Sequence, residues 1–339
     1  MSIQSQSEQE FYQNVATKYT DVIGRKLGGH VVLFSDEFFA EAANLIKPTP
    51  PIRDATRFVP TGAWYDGWET RRHNTAEADW VIIKLGVASA RIIGAEIDTA
   101  FFNGNEAPAI SIQGTFVSDQ SELGSAQWKE IVPLQKCGPS ARHFFVRDNL
   151  TSEPFTHVKL LMYPDGGIAR FRLYGVPTPV FPEDINVELD LAHVSSGGVA
   201  VSVSNQHFGT ADNLLLPGRG HDMSDGWETA RSRAPGHIDW VIIKLGAKGI
   251  IDRVIVDTAN FMGNFPQKVR VQALSAESSE TEIKHDDSRW VTILDDQKTQ
   301  AHTEHEFKIN GGAAYTHAKL VIIPDGGVKR FRVLGRRAV

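Results

Sequence analysis

The sequence predicts an all-β protein built as a tandem duplication of a jelly-roll β-sandwich, with few short helices. Three observations carry that reading. Long phrases recur in the same order in the two halves of the 339-residue chain. Within each half, short segments are rich in β-branched and aromatic residues. Turn signals separate them at roughly the spacing of a sandwich.

The repeat is explicit. DWVIIKLG at 79–86 returns unchanged at 239–246, and DTAFFNGN at 98–105 returns as DTANFMGN at 257–264. THVKLLMYPDGGIARFRLYG at 156–175 returns as THAKLVIIPDGGVKRFRVLG at 316–335. The offset stays near 160, far beyond a solenoid period of 20–50 residues, so whole domains are duplicated. We expect repeats at 20–176 and 187–336, joined by a Pro-rich linker at 177–186. WVIIKLG, RIIGAEIDTAFF, PAISIQGTFV, THVKLLMY and IARFRLYG read as strands. The DGG turns at 165–167 and 325–327 supply the positive φ a tight turn needs. The N-terminal segment and EFFAEAANLI are the short-helix candidates.

Apolar residues make up 41% and charged residues 22%, ordinary for a globular protein with real cores. The net charge of −6 shows no basic stripe, which argues against nucleic acid as a partner. No apolar run approaches the ~18 residues of a bilayer span, and the polar N-terminus lacks a signal pattern. With Cys137 as the one cysteine, a reducing, cytoplasmic compartment is the expectation. Cys137 itself, in KCGPS, reads either as an incidental loop residue or as a reactive thiol.

One phrase is densest in polar residues. YDGWETRRHN at 65–74 answers SDGWETARSR at 224–233. Asp66, Trp68, Glu69, Thr70 and Arg72 match Asp225, Trp227, Glu228, Thr229 and Arg231, while Arg71, His73 and Asn74 face Ala230, Ser232 and Arg233. Shared residues are what a fold retains after duplication; unshared ones mark where a function of one copy settles. Asn103 and Glu106, opposite Met262 and Phe265, repeat the asymmetry. The first copy also carries an aromatic insert: Pro48 and Asp66 are 18 positions apart, Pro217 and Asp225 only 8. The insert holds Arg53, Asp54 and Arg57; the second copy offers Arg219, His221 and Asp222.

Strand alternation places Asp98 and Asp257 on apolar faces, where a carboxylate must be hydrogen-bonded. Each either caps a neighbouring loop or lies beneath a pocket and receives ureido or amide N–H groups. In the RFR strands, Arg170 and Arg172 (Arg330 and Arg332 in the second copy) are either solvent-facing or a guanidinium pair for a carboxylate ligand. His157 and His317 read as core histidines. No HExxH, CxxC pair, P-loop, GxGxxG or G-x-S-x-G is present, and a metal site built from distant His and Asp residues stays open.

The order of DWVIIKLG, RIIGAEI and RFRLYG resembles the galactose-binding-like, discoidin-type jelly roll. GAWYDGWETRRHN, DWVIIKLG, EIDTAFFNGN, PDGGIARFRLYG, LLLPGRGHDMSDGWETARSR and PDGGVKRFR together resemble the allantoicase (allantoate amidinohydrolase) family, from about residue 21 to 335. The resemblance implies hydrolysis of allantoate to ureidoglycolate and urea, and a homo-oligomer. Such a substrate carries one carboxylate and two ureido groups on one carbon. Arg71, Arg72 and Arg231 are then candidates for the carboxylate. Glu69, Glu228, Asn103, Asn105, Asn264, Asp98 and Asp257 are candidates for ureido N–H groups, with Glu69 and Glu228 also catalytic candidates. His73 and His221 are candidates for acid–base work. No cofactor is certain from these residues, and a divalent metal stays open as a replacement for the base, since it activates water. The competing class is a non-enzymatic jelly-roll module for a small anionic or carbohydrate ligand.

Overall fold

The computed structural model describes residues 2–73, 75–277, 280 and 282–338. Asn74, from the unshared end of the repeated phrase, lies outside them. The chain divides into two compact units, Met1–Thr178 and Pro179–Val339.

The first unit is a sandwich of two five-stranded antiparallel sheets. One runs Ile3–Ser5, Arg142–Arg147, Ala90–Asp98, Arg170–Pro177 and Thr20–Asp21 from edge to edge. The other runs Lys129–Lys136, Ala109–Thr115, His157–Tyr163, Asp79–Lys84 and His30–Phe34. Ile82, Ile83, Ile92, Ile97, Ile110, Ile112, Leu160, Phe171 and Leu173 are all buried, as the β-branched and aromatic composition of these strands requires. One short α-helix, Glu8–Phe11, closes the N-terminal arm through a Ser7–Glu10 capping box. Its Phe11 and the following Val15 pack on Ile93, Phe144 and Val146. The other helix candidate is only a 3-10 turn, Ala42–Ile46.

The second unit repeats the plan with one continuous strand, Asp239–Asp257, where the first has two. Its first half pairs with Val199–Val203 and Ala314–Ile323, and its second half with Glu304–Lys308 and Arg330–Arg337. A single strand therefore serves both layers of the sandwich. Among the described residues, no helix is long and apolar enough to cross a membrane.

The DGG turns are alike in both units, but their two glycines act differently. Gly166 and Gly326 hold φ of +139° and +133°, which only glycine adopts without strain. Gly167 is needed for space instead, because a Cβ there would lie 2.2 Å from the Phe102 ring. These turns set the loop end at which the repeated phrase is displayed: Trp68–Glu69 pairs with Gly167–Ile168, and Trp227–Glu228 with Gly327–Val328.

Candidate active site

The shared Asp-Gly-Trp portion of the phrase is structural in both units. The Trp68 indole is fully buried and donates to the Asp36 carbonyl at 2.8 Å; Trp227 does the same to Asn205 at 2.8 Å. Asp66 is a buried ion hub, receiving Lys47 Nζ at 2.9 Å, Arg170 Nη2 at 2.6 Å and the Ile52 N–H at 3.2 Å. Burial works to raise the Asp66 carboxyl, yet the bonds from Lys47 and Arg170 outweigh it and hold the group below its ordinary range.

That hub decides the RFR question. Arg170 is 2% exposed and donates to the carbonyls of Thr49, Pro50 and Asp66. Arg172 donates to those of Leu45 and Lys47. Arg330 and Arg332 do the same to Gly218, Asp225 and Leu216. These arginines are neither solvent-facing nor a fork for a ligand carboxylate. They tie each sheet to the loop that crosses its end, because a buried guanidinium with five donors needs carbonyl acceptors from a folded loop.

The next residues of the phrase form a polar rim. Glu69 is 6% exposed and accepts a hydrogen bond from Asn105 Nδ2 at 2.8 Å. Asn105 is itself oriented, since its Oδ1 accepts the Asn103 N–H at 3.1 Å. Arg72 closes the group: it meets Asp165 at 3.1 Å and the Gly104 carbonyl at 3.3 Å. Burial pushes the Glu69 carboxyl above its ordinary range, while Asn105 and the Arg72 charge pull the other way. Thr70, fully buried, trades bonds with Gly166 and belongs to the scaffold. The second unit repeats the central pair, with Asn264 Nδ2 on Glu228 Oε1 at 2.6 Å. There Arg231 is exposed, and Asp325 accepts the Ser232 N–H at 2.7 Å instead of pairing with an arginine.

The remaining candidates lie apart from this pairing. Arg71 stacks on Phe38, with its guanidinium carbon 4.4 Å from the ring centroid, and pairs with Asp36 at 3.4 Å. Its counterpart Ala230 faces Asn205 through the same backbone bond. His73, at φ +63°, lines a shallow hollow of about 390 Å³ with Asp36, Arg71, Arg72, Asp79 and Trp80; Glu69 is not part of that lining. His221 is fixed by its backbone, whose N–H donates to Asp225 at 3.3 Å and whose carbonyl accepts from Asn260 at 3.2 Å. Asn103 enters only through its backbone. The insert folds on itself, Arg53 over Tyr65 and Arg57 over Trp64, while Tyr65 stacks on Phe102.

Asp98 and Asp257 both end their strands and cap the loop beyond, accepting the N–H of Ala100 at 2.8 Å and Ala259 at 2.9 Å. Beyond that they part. Asp257 is gripped by Arg219 through two bonds of 2.8 Å. Asp98 borders a cavity of about 800 Å³. Sequence reasoning missed Lys47, Lys329, Asp36 and Asp165. The signal for Asp165 is the PDGG phrase, identical in both copies, although a turn alone accounts for an aspartate at that place.

No group of three or more His, Cys, Asp or Glu side chains among the described residues is arranged to hold a metal ion. Burial pushes the Cys137 thiol up to about 12, so it is protonated rather than a nucleophilic thiolate. His157 and His317 are buried beside Thr156 and Thr316, each ring Nδ1 2.9 Å from a threonine hydroxyl.

The fold and the rim define a class: a duplicated jelly roll with an asparagine-held glutamate at the same loop end of each unit, buried in the first and half-buried in the second. The family model described as "Allantoicase repeat" matches residues 20–178 and again 189–338. The allantoicase of Saccharomyces cerevisiae is 59% identical over 94% of this chain and 94% of its own. That of Neurospora crassa is 55% identical over 94% and 92%. A crystal structure of the Saccharomyces cerevisiae allantoicase superposes with a TM-score of 0.85 at 52% identity, covering 98% of this chain and all of that one. The chain belongs to the allantoicase family.

Proposed function

We propose that this chain hydrolyses allantoate to ureidoglycolate and urea, with the chemistry at the Glu69–Asn105–Arg72 rim. The observation that carries the activity is the whole-chain match to allantoicases, including both repeats. The match favours the enzyme over a non-enzymatic binding module. The site assignment rests on a different observation, the buried carboxylate beside a partly exposed guanidinium.

In this reading Arg72 receives the substrate carboxylate, and Asn103 and Asn105 meet the ureido groups. Glu69 carries the proton. Burial favours its protonated form, so it donates to the nitrogen of the departing urea as the C–N bond breaks. The bond pair leaves with urea, and the nitrogen that stays on the carbon stabilises the resulting cation. Water then attacks that carbon and returns its proton to the Glu69 carboxylate, so one group serves both steps and the protons balance. His73 is a second candidate for the proton transfer. Glu228, Asn264 and Arg231, with His221, are the corresponding candidates in the second unit.

The proposal includes a small-molecule substrate, a cytoplasmic location, no nucleic-acid or membrane partner, and a homo-oligomer. The boundaries 20–176, 177–186 and 187–336 belong to it as well, supported by the matched spans. The test is urea release from allantoate by the purified protein, with and without chelator. No urea in either arm would overturn the reading; loss with chelator alone would replace Glu69 by a metal-bound water as the base.

A further inference from the structure

The two units carry corresponding faces that share an aspartate and two arginines and differ around them. In the first, Arg142, Asp98 and Arg170 stand opposite one another on three adjacent strands, with Phe144, Glu96 and Arg172 as the next row. In the second, the rows are Glu304, Asp257, Arg330 and Glu306, Ile255, Arg332. The loop that crosses this face aligns through its bonds. Arg170 Nε donates to the Thr49 carbonyl as Arg330 Nε does to that of Gly218. The Ile52 N–H meets Asp66 as the His221 N–H meets Asp225. Pro50 therefore occupies the position of Arg219.

Arg219 fills the second unit's face by placing two N–H groups on Asp257, at 2.8 Å each. Pro50 has no such group, and the first unit keeps its cavity of about 800 Å³, within the range of small-molecule pockets. Asp98, 5% exposed, borders it with its carboxylate held at one oxygen by Ala100. The other cavity charges are already matched. Arg142 pairs with Glu96 and Glu8, Arg170 with Asp66, and Arg172 with Asp21 at 3.7 Å. Among the described residues, Asp98 is the cavity carboxylate without an ion pair.

We propose that the first-unit cavity is a binding site for a small molecule carrying a planar fork of N–H donors, a guanidinium or ureido group, which docks on Asp98 as Arg219 docks on Asp257. The chain supplies its own occupant in one copy and leaves the place to a ligand in the other. A carboxylate that accepts two parallel N–H bonds selects this geometry over a point charge such as an ammonium. The inference stands on the comparison of the two units and is independent of the hydrolase reading. Its test reads binding without turnover, so the two fail separately.

Calorimetric titration of the full-length protein with methylguanidinium and with methylurea tests it. One site per chain is expected for at least one probe. Binding by methylguanidinium alone assigns a cationic ligand, and binding by methylurea assigns a neutral ureide. Asp98→Asn should weaken the bound probe at least tenfold with the melting transition retained, and Pro50→Arg should close the site. Arg219→Ala should open a second site and raise the stoichiometry to two. If neither probe binds the wild-type chain, or if binding survives Asp98→Asn at full affinity, the proposal is overturned. Should Arg219→Ala fail to fold, the Asp98→Asn arm decides alone.

Discussion

Lys47 Nζ lies 2.9 Å from Asp66 Oδ1, and the same service to Asp225 is performed by Lys329 from a different place in the chain. Lys47 sits in the loop before the hub, where the second copy has Leu216; Lys329 sits in the closing strand region, where the first copy has Ala169. In each copy the aspartate pairs with the corresponding arginine, Arg170 or Arg330, while its lysine comes from a different position. Charge balance was preserved while the position supplying it was not.

This exchange is testable by transplantation. Lys47→Leu should cost about 1–2 kcal/mol, less than the ~3–5 of a fully buried pair, because Lys47 is partly exposed and Arg170 remains. Adding Ala169→Lys should recover part of that loss. Urea unfolding of the single and double variants measures both, and a double variant no more stable than the single one refutes the equivalence.

Glu69→Gln removes the proposed proton carrier while keeping its bond to an amide. A fall in kcat of about 100- to 10,000-fold is expected, the usual range for a lost general acid–base group. Glu228→Gln, assayed separately, reports whether the second rim turns over too. Activity near wild type in both variants would remove the repeated phrase from the site.

Asn105 tunes Glu69 as well as placing it. Burial raises the Glu69 carboxyl and the Asn105 bond lowers it, so Asn105→Ala should raise it further. The limb of the pH–kcat/KM profile that reports Glu69 then moves to higher pH. A limb that stays in place, or moves down, would separate Glu69 from the rate.

Acid stability should be governed by three histidines, two buried and one half-buried. His157, His193 and His317 are each brought down to about 4, chiefly by burial and then by neighbouring cations such as Lys84, Arg332 and Lys244. The folded chain holds them neutral where the unfolded chain binds protons, between about pH 6.5 and 4. Stability is therefore retained above 6.5 and lost as the pH falls toward 4. Melting temperatures across that window should drop, and His157→Gln with His317→Gln should flatten the slope. An unchanged slope would assign the acid limb to other groups.

The sequence by itself determined the duplication, several strand segments, the glycine turns and the family, because these are local patterns or long shared phrases. It also separated the shared DGWET from the unshared residues that follow it. Only the tertiary structure decided what the polar residues do. Arg170 and Asp66 are 104 positions apart, and Arg219 and Asp257 are 38 apart. Whether an arginine on a strand face meets solvent, a ligand or a carbonyl depends on the loop folded across that face. The same reason hid the contrast between Asp98 and Asp257: both end a strand in the same Asp-Thr-Ala phrase, and folding brings Pro50 over one carboxylate and Arg219 over the other.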